Sequence, residues 1–215
     1  MRTFITACLS VFIGALFSLS SAAGQMAFTE KIISVPGGEN VEIEIRLPAN
    51  FDPEKTYPLA LGGGYYWKDV DDTRGWILVT LALTTNEVEN RYTALLDYLS
   101  DQYSIENGRA HMVCYSSCGS AAFIVAGAFP DQFSSVTTLS GHPRNRTEML
   151  AVKDMKIRLI VGENDTYWRK GSEKAYKDFV EIDADVSLEI VPNGNHVITS
   201  IAADPFLTRL EALRN

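Results

Sequence analysis

The sequence predicts an α/β fold: one domain built on a mostly parallel, doubly wound sheet, with an antiparallel hairpin at its N-terminal edge and no lid domain. Three observations carry this expectation. Apolar runs of strand length, such as Gly75 to Leu83 (GWILVTLAL), are continuous, the mark of a parallel strand covered on both faces. Such runs alternate with stretches of helical spacing, as right-handed crossover units require. A run that alternates apolar and charged residues, Val41-Glu42-Ile43-Glu44-Ile45-Arg46-Leu47, lies near the start and reads as a half-exposed antiparallel strand.

The chain has 215 residues, enough for one domain with a substantial core and too few for two ordinary ones. Its 46% hydrophobic and 21% charged residues place it among soluble globular proteins. Residues 1–23 are expected to be a secretory signal: Arg2 is the positive start, Phe4 to Leu19 is apolar without a charge, and Ser20-Ser21-Ala22-Ala23 provides small residues for cleavage before Gly24. The run is shorter than the ~20 residues a spanning helix needs, so no membrane association is expected after cleavage. The domain then occupies residues 24–215, and its location is secreted or periplasmic. Removing Arg2 takes the formal charge from −8 to −9, which argues against nucleic acid and anionic membranes as partners. Of the three cysteines, Cys8 leaves with the signal, and Cys114 and Cys118 remain in an oxidising compartment. The sequence is silent on oligomeric state.

In chain order, Phe28 to Val35 and Val41 to Leu47 form the edge hairpin, joined through Pro36-Gly37-Gly38-Glu39-Asn40. After the loop Pro48 to Pro58, the short strand Leu59-Ala60-Leu61 enters Gly62-Gly63-Gly64, followed by Tyr65-Tyr66-Trp67. Gly75 to Leu83 is the next strand. Glu87 to Tyr103 places Val88, Tyr92, Leu95, Leu96 and Leu99 on one helical face. His111 to Tyr115 is a strand and Ser117 to Phe129 a small, apolar, buried helix, so Ser116 occupies a corner with almost no loop. Further strands are expected at Ser135 to Ser140, Ile157 to Val161 and Val186 to Val191, with a helix at Ser172 to Ile182 and a closing helix from about Val197 to Leu213.

A serine at a sharp strand-to-helix turn takes a strained backbone conformation and stands proud of the sheet. The stretch Cys114-Tyr115-Ser116-Ser117-Cys118 resembles the nucleophile elbow of the α/β-hydrolase superfamily, Gly-x-Ser-x-Gly, with both glycines replaced by cysteine. The family's glycines let strand and helix cross closely, and two cysteines resolve the conflict if bonded, because a disulfide holds its Cβ atoms about 3.8 Å apart. A Cys114–Cys118 bridge clamping the elbow is therefore expected; two free buried thiols are the alternative.

Chemistry in open α/β sheets gathers at the carboxyl edge. Ser116, Asp165 and His196 each follow a strand there, and their order, serine then acid then histidine, is the order of the superfamily. Among the three histidines, His111 begins the elbow strand and lies at the wrong end of the sheet. His142 falls too early for the superfamily's base, leaving it a substrate contact or a loop cap. Asp165 is preferred over Glu163 because the family's acid lies a few residues past a glycine. Asn145-Arg146-Thr147 and Asn164-Asp165-Thr166 match the glycosylation sequon and are read as chance matches. The resemblance further implies an oxyanion hole from the backbone N–H groups of Ser117 and of Gly63 or Gly64, with Tyr65, Tyr66, Trp67, His142 and Trp168 as substrate-lining candidates. At least one of the three consecutive aromatics is expected to be ordinary packing. No metal or cofactor is implied.

The segment from Asn107 to Pro143, with Phe129-Pro130-Asp131-Gln132-Phe133 and Leu139-Ser140-Gly141, is similar to secreted feruloyl esterases and polyhydroxybutyrate depolymerases. The resemblance implies a secreted serine hydrolase of carboxylic esters, small or polymer-linked, working through a Ser116–His196–Asp165 triad. A peptidase or acyltransferase of the same fold is the second enzymatic reading, and a non-catalytic binding protein on the same scaffold is the reading from another class.

Overall fold

The computed structural model describes residues 27–36 and 38–214, so the expected signal lies outside the described residues. Eight strands form one mixed sheet: β1 (Ala27–Ile33), β2 (Val41–Leu47), β3 (Leu59–Gly62), β4 (Ile77–Thr80), β5 (Ala110–Tyr115), β6 (Phe133–Leu139), β7 (Lys156–Gly162) and β8 (Val186–Val191). Their order across the sheet is β1-β2-β4-β3-β5-β6-β7-β8. The β1–β2 hairpin pairs antiparallel, and β2 joins β4 antiparallel. Every other neighbouring pair is parallel. The α/β architecture with an antiparallel N-terminal edge is thus the one the sequence patterning calls for. A two-residue ribbon, Thr56–Tyr57 with Ser104–Ile105, stands apart from the main sheet.

The continuous apolar runs split by parity between two cores. Leu59, Leu61, Ile77, Val79, Met112 and Cys114 face one side with α1 (Val88–Gln102), α2 (Gly119–Ala128) and α4 (Thr166–Val180). Ala60, Leu78, Val113, Leu139 and Ile160 face the other, against Trp67, Trp76 and α5 (Asp204–Glu211). Period-two side chains of a central strand are buried whichever way they point, which is why these strands carry no polar alternation. Helix α1 buries Tyr92, Leu95, Leu96 and Leu99, the face its spacing specified. Helix α2 is apolar nearly all round because it sits between α1 and α3 (Arg146–Ala151) over the middle of the sheet.

Several elements differ from the sequence expectation: the helix expected at Ser172 to Ile182 spans Thr166–Val180, and α3 was not anticipated. The Gly75–Leu83 run gives a strand of only Ile77–Thr80. Trp76 ahead of it is fully buried and donates from its indole N–H to Glu211 at 3.0 Å, so its large apolar body belongs to the α5 interface. The closing segment is broken into a 3-10 turn at Thr199–Ile201 and α5. Ala203 between them has φ of 59°, its N–H donates to Tyr66 O at 2.8 Å, and Pro205 sits in the first turn of α5 where its missing N–H costs nothing.

His111 lies at the amino end of β5, far from the carboxyl edge, with its ring against Trp76 and Nδ1 2.8 Å from Ser135 Oγ. Burial disfavours the imidazolium and pushes its pKa down to about 4 from 6.5, with the Glu106 charge opposing the shift. The folded state therefore holds the ring neutral, and a penalty absent above pH 6.5 grows as the pH falls toward 4. Urea unfolding at pH 7 and pH 4.5 should lose about 2–3 kcal/mol more stability in the wild type than in His111→Asn. Parallel losses in the two proteins would contradict this assignment.

Candidate active site

The sheet changes winding direction between β3 and β5, so the carboxyl ends of these neighbours open at the switch point where α/β sheets bind ligands. Ser116 follows β5 with φ of 61°, the left-handed corner the sequence requires of a nucleophile elbow. It opens a short 3-10 turn, Ser116–Cys118, and α2 starts only at Gly119, two residues later than the apolar pattern implies. The Cys114 and Cys118 sulfurs are bonded across the corner with Cα atoms 5.8 Å apart, inside the range a disulfide spans. Cys118 Sγ also accepts from the Tyr115 N–H at 3.3 Å.

The close backbone approach that glycines serve in this motif is made elsewhere. A Cβ on Gly119 would lie 2.9 Å from Gly141 Cα, and one on Gly141 would lie 3.1 Å from Ser116 O. Leu139-Ser140-Gly141 thus packs under the elbow from the end of β6. Ser140, itself fully buried with φ of 49°, donates its hydroxyl to His196 O at 3.1 Å.

Asp165 and His196 are brought together by a second glycine contact. A Cβ on Gly162 would meet Asn195 O at 2.4 Å and Gly194 C at 2.5 Å. That close approach lets Asn164 N–H donate to Gly194 O at 2.8 Å and lashes the β7 and β8 loops to each other. Glu163 joins the lashing, accepting from Asn193 N–H at 2.9 Å, so its carboxylate serves as a loop tie while Asp165 is the one bonded to His196. Asp165 occupies the N-cap position of α4 without a side-chain cap bond, which frees its carboxylate. Its Oδ2 accepts from His196 Nδ1 at 2.7 Å, with the aspartate side chain 8% exposed. A carboxylate only accepts, so Nδ1 carries the proton and Nε2 is the acceptor for the Ser116 hydroxyl at 2.8 Å.

Aromatic rings hold the imidazole from two sides: Tyr115 at 5.1 Å between centroids and Trp168, stacked at 5.9 Å. Tyr65 stacks on Tyr115 at 5.9 Å and carries Lys68 Nζ 5.0 Å over its face. Burial pushes the Tyr115 hydroxyl pKa up, and the Tyr65 and Asp165 charges push the same way, so it stays a neutral donor. Of the other aromatics proposed to line a substrate, Tyr66 and Trp67 are fully buried and serve packing. Trp67 Nε1 donates to Thr80 Oγ1 at 2.8 Å. Tyr66 accepts from Ile198 N–H at 3.2 Å and is pushed up to about 12 by desolvation, which anchors the segment just after His196. His142 turns from the triad, donating Nδ1–H to Pro143 O at 2.9 Å and packing on Trp168 at 5.4 Å.

The glycine triplet divides its work. Gly62, at φ of 133°, admits no side chain because a Cβ would fall 2.0 Å from Val113 O. Gly63 N–H donates to Val113 O at 2.9 Å, so that amide is spent on the sheet. Gly64 heads the 3-10 turn Gly64–Tyr66, where the N–H groups have no partner within the turn. Of the two glycine donors the sequence left open, Gly64 is the one available. Ser140, Tyr115 and Tyr66 carried no sequence signal for their roles, because each acts through a partner more than fifty residues away. Among the described residues no group of three or more His, Cys, Asp or Glu could hold a metal ion, and no helix is long and apolar enough to cross a membrane.

No family model matches the sequence, and no curated protein matches it. Solved structures do match its fold. A thermostable esterase aligns with TM-score 0.61 at 17% identity over 87% of this chain and 60% of its own. A ferulic acid esterase aligns with TM-score 0.65 at 15% identity over 88% of this chain and 97% of its own. A putative dipeptidyl aminopeptidase IV from Bacteroides ovatus aligns with TM-score 0.66 at 14% identity over 90% of this chain but 36% of its own. The chain therefore spans less than two thirds of the first of these proteins and about a third of the third.

The Gly162 contact is with backbone, which cannot swing aside. Gly162→Ala should cost about 1–3 kcal/mol in thermal or urea unfolding, since the Cβ must force the two loops apart. An unchanged melting temperature would contradict the close approach.

Proposed function

We propose that this chain, which has the fold of the α/β hydrolases, is a serine hydrolase of carboxylic esters, small or polymer-linked. The observation that carries the proposal is the unbroken line Ser116 Oγ to His196 Nε2 at 2.8 Å and His196 Nδ1 to Asp165 Oδ2 at 2.7 Å. In this reading His196 takes the proton of Ser116 as the hydroxyl attacks the ester carbonyl. Asp165 holds the imidazole in the required tautomer and stabilises the imidazolium. The N–H groups of Ser117 and Gly64 receive the oxyanion, and His196 then protonates the leaving alcohol. Water, activated by the same imidazole, releases the acid from the acyl-enzyme.

The likeness to a thermostable esterase and a ferulic acid esterase is consistent with ester chemistry. The likeness to a peptidase, over a third of that protein's length, supports the peptidase reading less well. A purely binding role would leave a serine in a strained corner and a buried carboxylate aimed at an imidazole without purpose. The disulfide at the elbow supports an oxidising compartment, secreted or periplasmic.

Hydrolysis of p-nitrophenyl acetate by residues 24–215 should fall to background in Ser116→Ala. In Asp165→Asn, kcat should drop roughly 10²–10⁴-fold because His196 loses its tautomer partner. Rates equal to the wild type in Ser116→Ala would sink the proposal. Reduction of Cys114–Cys118, verified by alkylation and mass, should lower kcat with little change in KM, because a loosened corner misplaces the nucleophile rather than the substrate. Unchanged turnover after verified reduction would leave the bridge without a catalytic role.

A further inference from the structure

We propose that Arg144 is a substrate-anchoring residue, and that the chain is selective for esters carrying an anionic group, carboxylate or phosphate, a few bonds from the scissile carbonyl. This rests on the hydrolase reading above. Arg144 is the residue shared by two cavities. One, about 280 Å³, is lined by Thr84, Thr85, Ser117 and Cys118, so it begins one residue from the proposed nucleophile. The other, about 350 Å³, is lined by His142, Arg146, Lys174 and Asp178. His142 packs on Trp168, which packs on His196, so the second cavity lies two rings behind the triad.

Arg144 is placed by a buried carboxylate. Glu148, whose side chain is 7% exposed, accepts from Arg144 N–H at 2.8 Å, Arg144 Nε at 3.3 Å, Asn145 Nδ2 at 3.1 Å and the Ser120 hydroxyl at 3.1 Å. Asn145 Oδ1 in turn accepts from Glu148 N–H at 3.0 Å. A carboxylate removed from water is tolerated only with its lone pairs satisfied, and here every donor comes from the elbow helix or from the loop bearing Arg144. The network takes up the Nε edge of the guanidinium. Its two terminal nitrogens make no hydrogen bond among the described residues, and the Arg144 side chain is 63% exposed. An arginine fixed along one edge and open at its fork is pre-organised for bidentate binding of a carboxylate or phosphate.

The local charge agrees. Arg144, Arg146 and Lys174 stand against Asp178 and the buried Glu148, a surplus of one positive charge in a chain whose formal charge is −8. Lys174 pairs with Asp178, while Arg146 makes no ion pair among the described residues. An acidic protein repels anionic esters at long range, so a cationic patch beside its reacting groups favours them only there.

The test compares p-nitrophenyl hydrogen adipate with p-nitrophenyl methyl adipate, which differ only in the terminal charge, and with a phosphonate-terminated analogue of the same length. The anionic-to-neutral ratio of kcat/KM should fall about 10-fold or more in Arg144→Gln, mainly through KM, and less in Arg144→Lys, which keeps the charge but loses the fork. The same ratio should fall in the wild type as salt is raised. Preference between the carboxylate and the phosphonate identifies the anion. A ratio in Arg144→Gln within twofold of the wild type would overturn the proposal. If the wild type cleaves neither ester, the hydrolase reading fails separately, and calorimetry with monomethyl adipate decides the subsite. Binding to Ser116→Ala that is lost in Ser116→Ala/Arg144→Gln sustains it, and absence of binding to Ser116→Ala overturns it.

Discussion

The left-handed backbone of Ser116 is the constraint on which the rest of the structure depends. A non-glycine residue at φ of 61° costs on the order of 1–3 kcal/mol and persists only where its surroundings over-determine it. Three features do so here. Strand β5 is paired on both sides, the disulfide ties the residues two before and two after the corner, and Gly119 seats the helix start directly on Gly141. Where an elbow with glycines relies on absent side chains, this one has a covalent bond and moves the crowding one residue along.

The partners of Ser116 arrive by the same device. Gly162 and Gly194 bring the ends of β7 and β8 to backbone contact, and three hydrogen bonds fix that contact. Asp165 and His196 then need no long reach, and the imidazole is held by Asp165 below, by Ser140 through its own carbonyl, and by two rings at its faces. Tyr115, Ser140 and Asp165 stand at or just past strand ends, and Trp168 follows Asp165 in the first turn of α4, so none of these restraints hangs on a free loop. A rigid sheet edge thereby transmits its precision to three side chains from distant parts of the chain.

The elbow also connects outward. Ser120, in the first turn of α2, binds Glu148, and Glu148 positions Arg144, so the helix that follows the Ser116 corner also sets the cationic side of the neighbouring cavities. Any shift of α2 would move both together. The core beneath is divided by the sheet into two apolar clusters, one under α1, α2 and α4 and one under α5, which leaves the carboxyl edge as the place where polar side chains converge.

Much of this was legible in the sequence because it is local. Continuous apolar runs specify doubly covered strands, and a serine with no loop on either side specifies a sharp corner. Strand ends followed by Ser116, Asp165 and His196 place three reactive groups at one edge. What tertiary structure alone decided depends on pairing between segments far apart. Gly63 was a candidate donor until the β3–β5 register committed its amide to Val113, and Trp67 was a candidate wall until Thr80 claimed its indole N–H. The closing helix broke at Ala203 because Tyr66 takes its N–H, and the Ser120–Glu148 link needed α2 and α3 side by side. Periodicity and turn chemistry are written within a dozen residues of chain, whereas a hydrogen bond between two strands or two helices exists only once both have been placed.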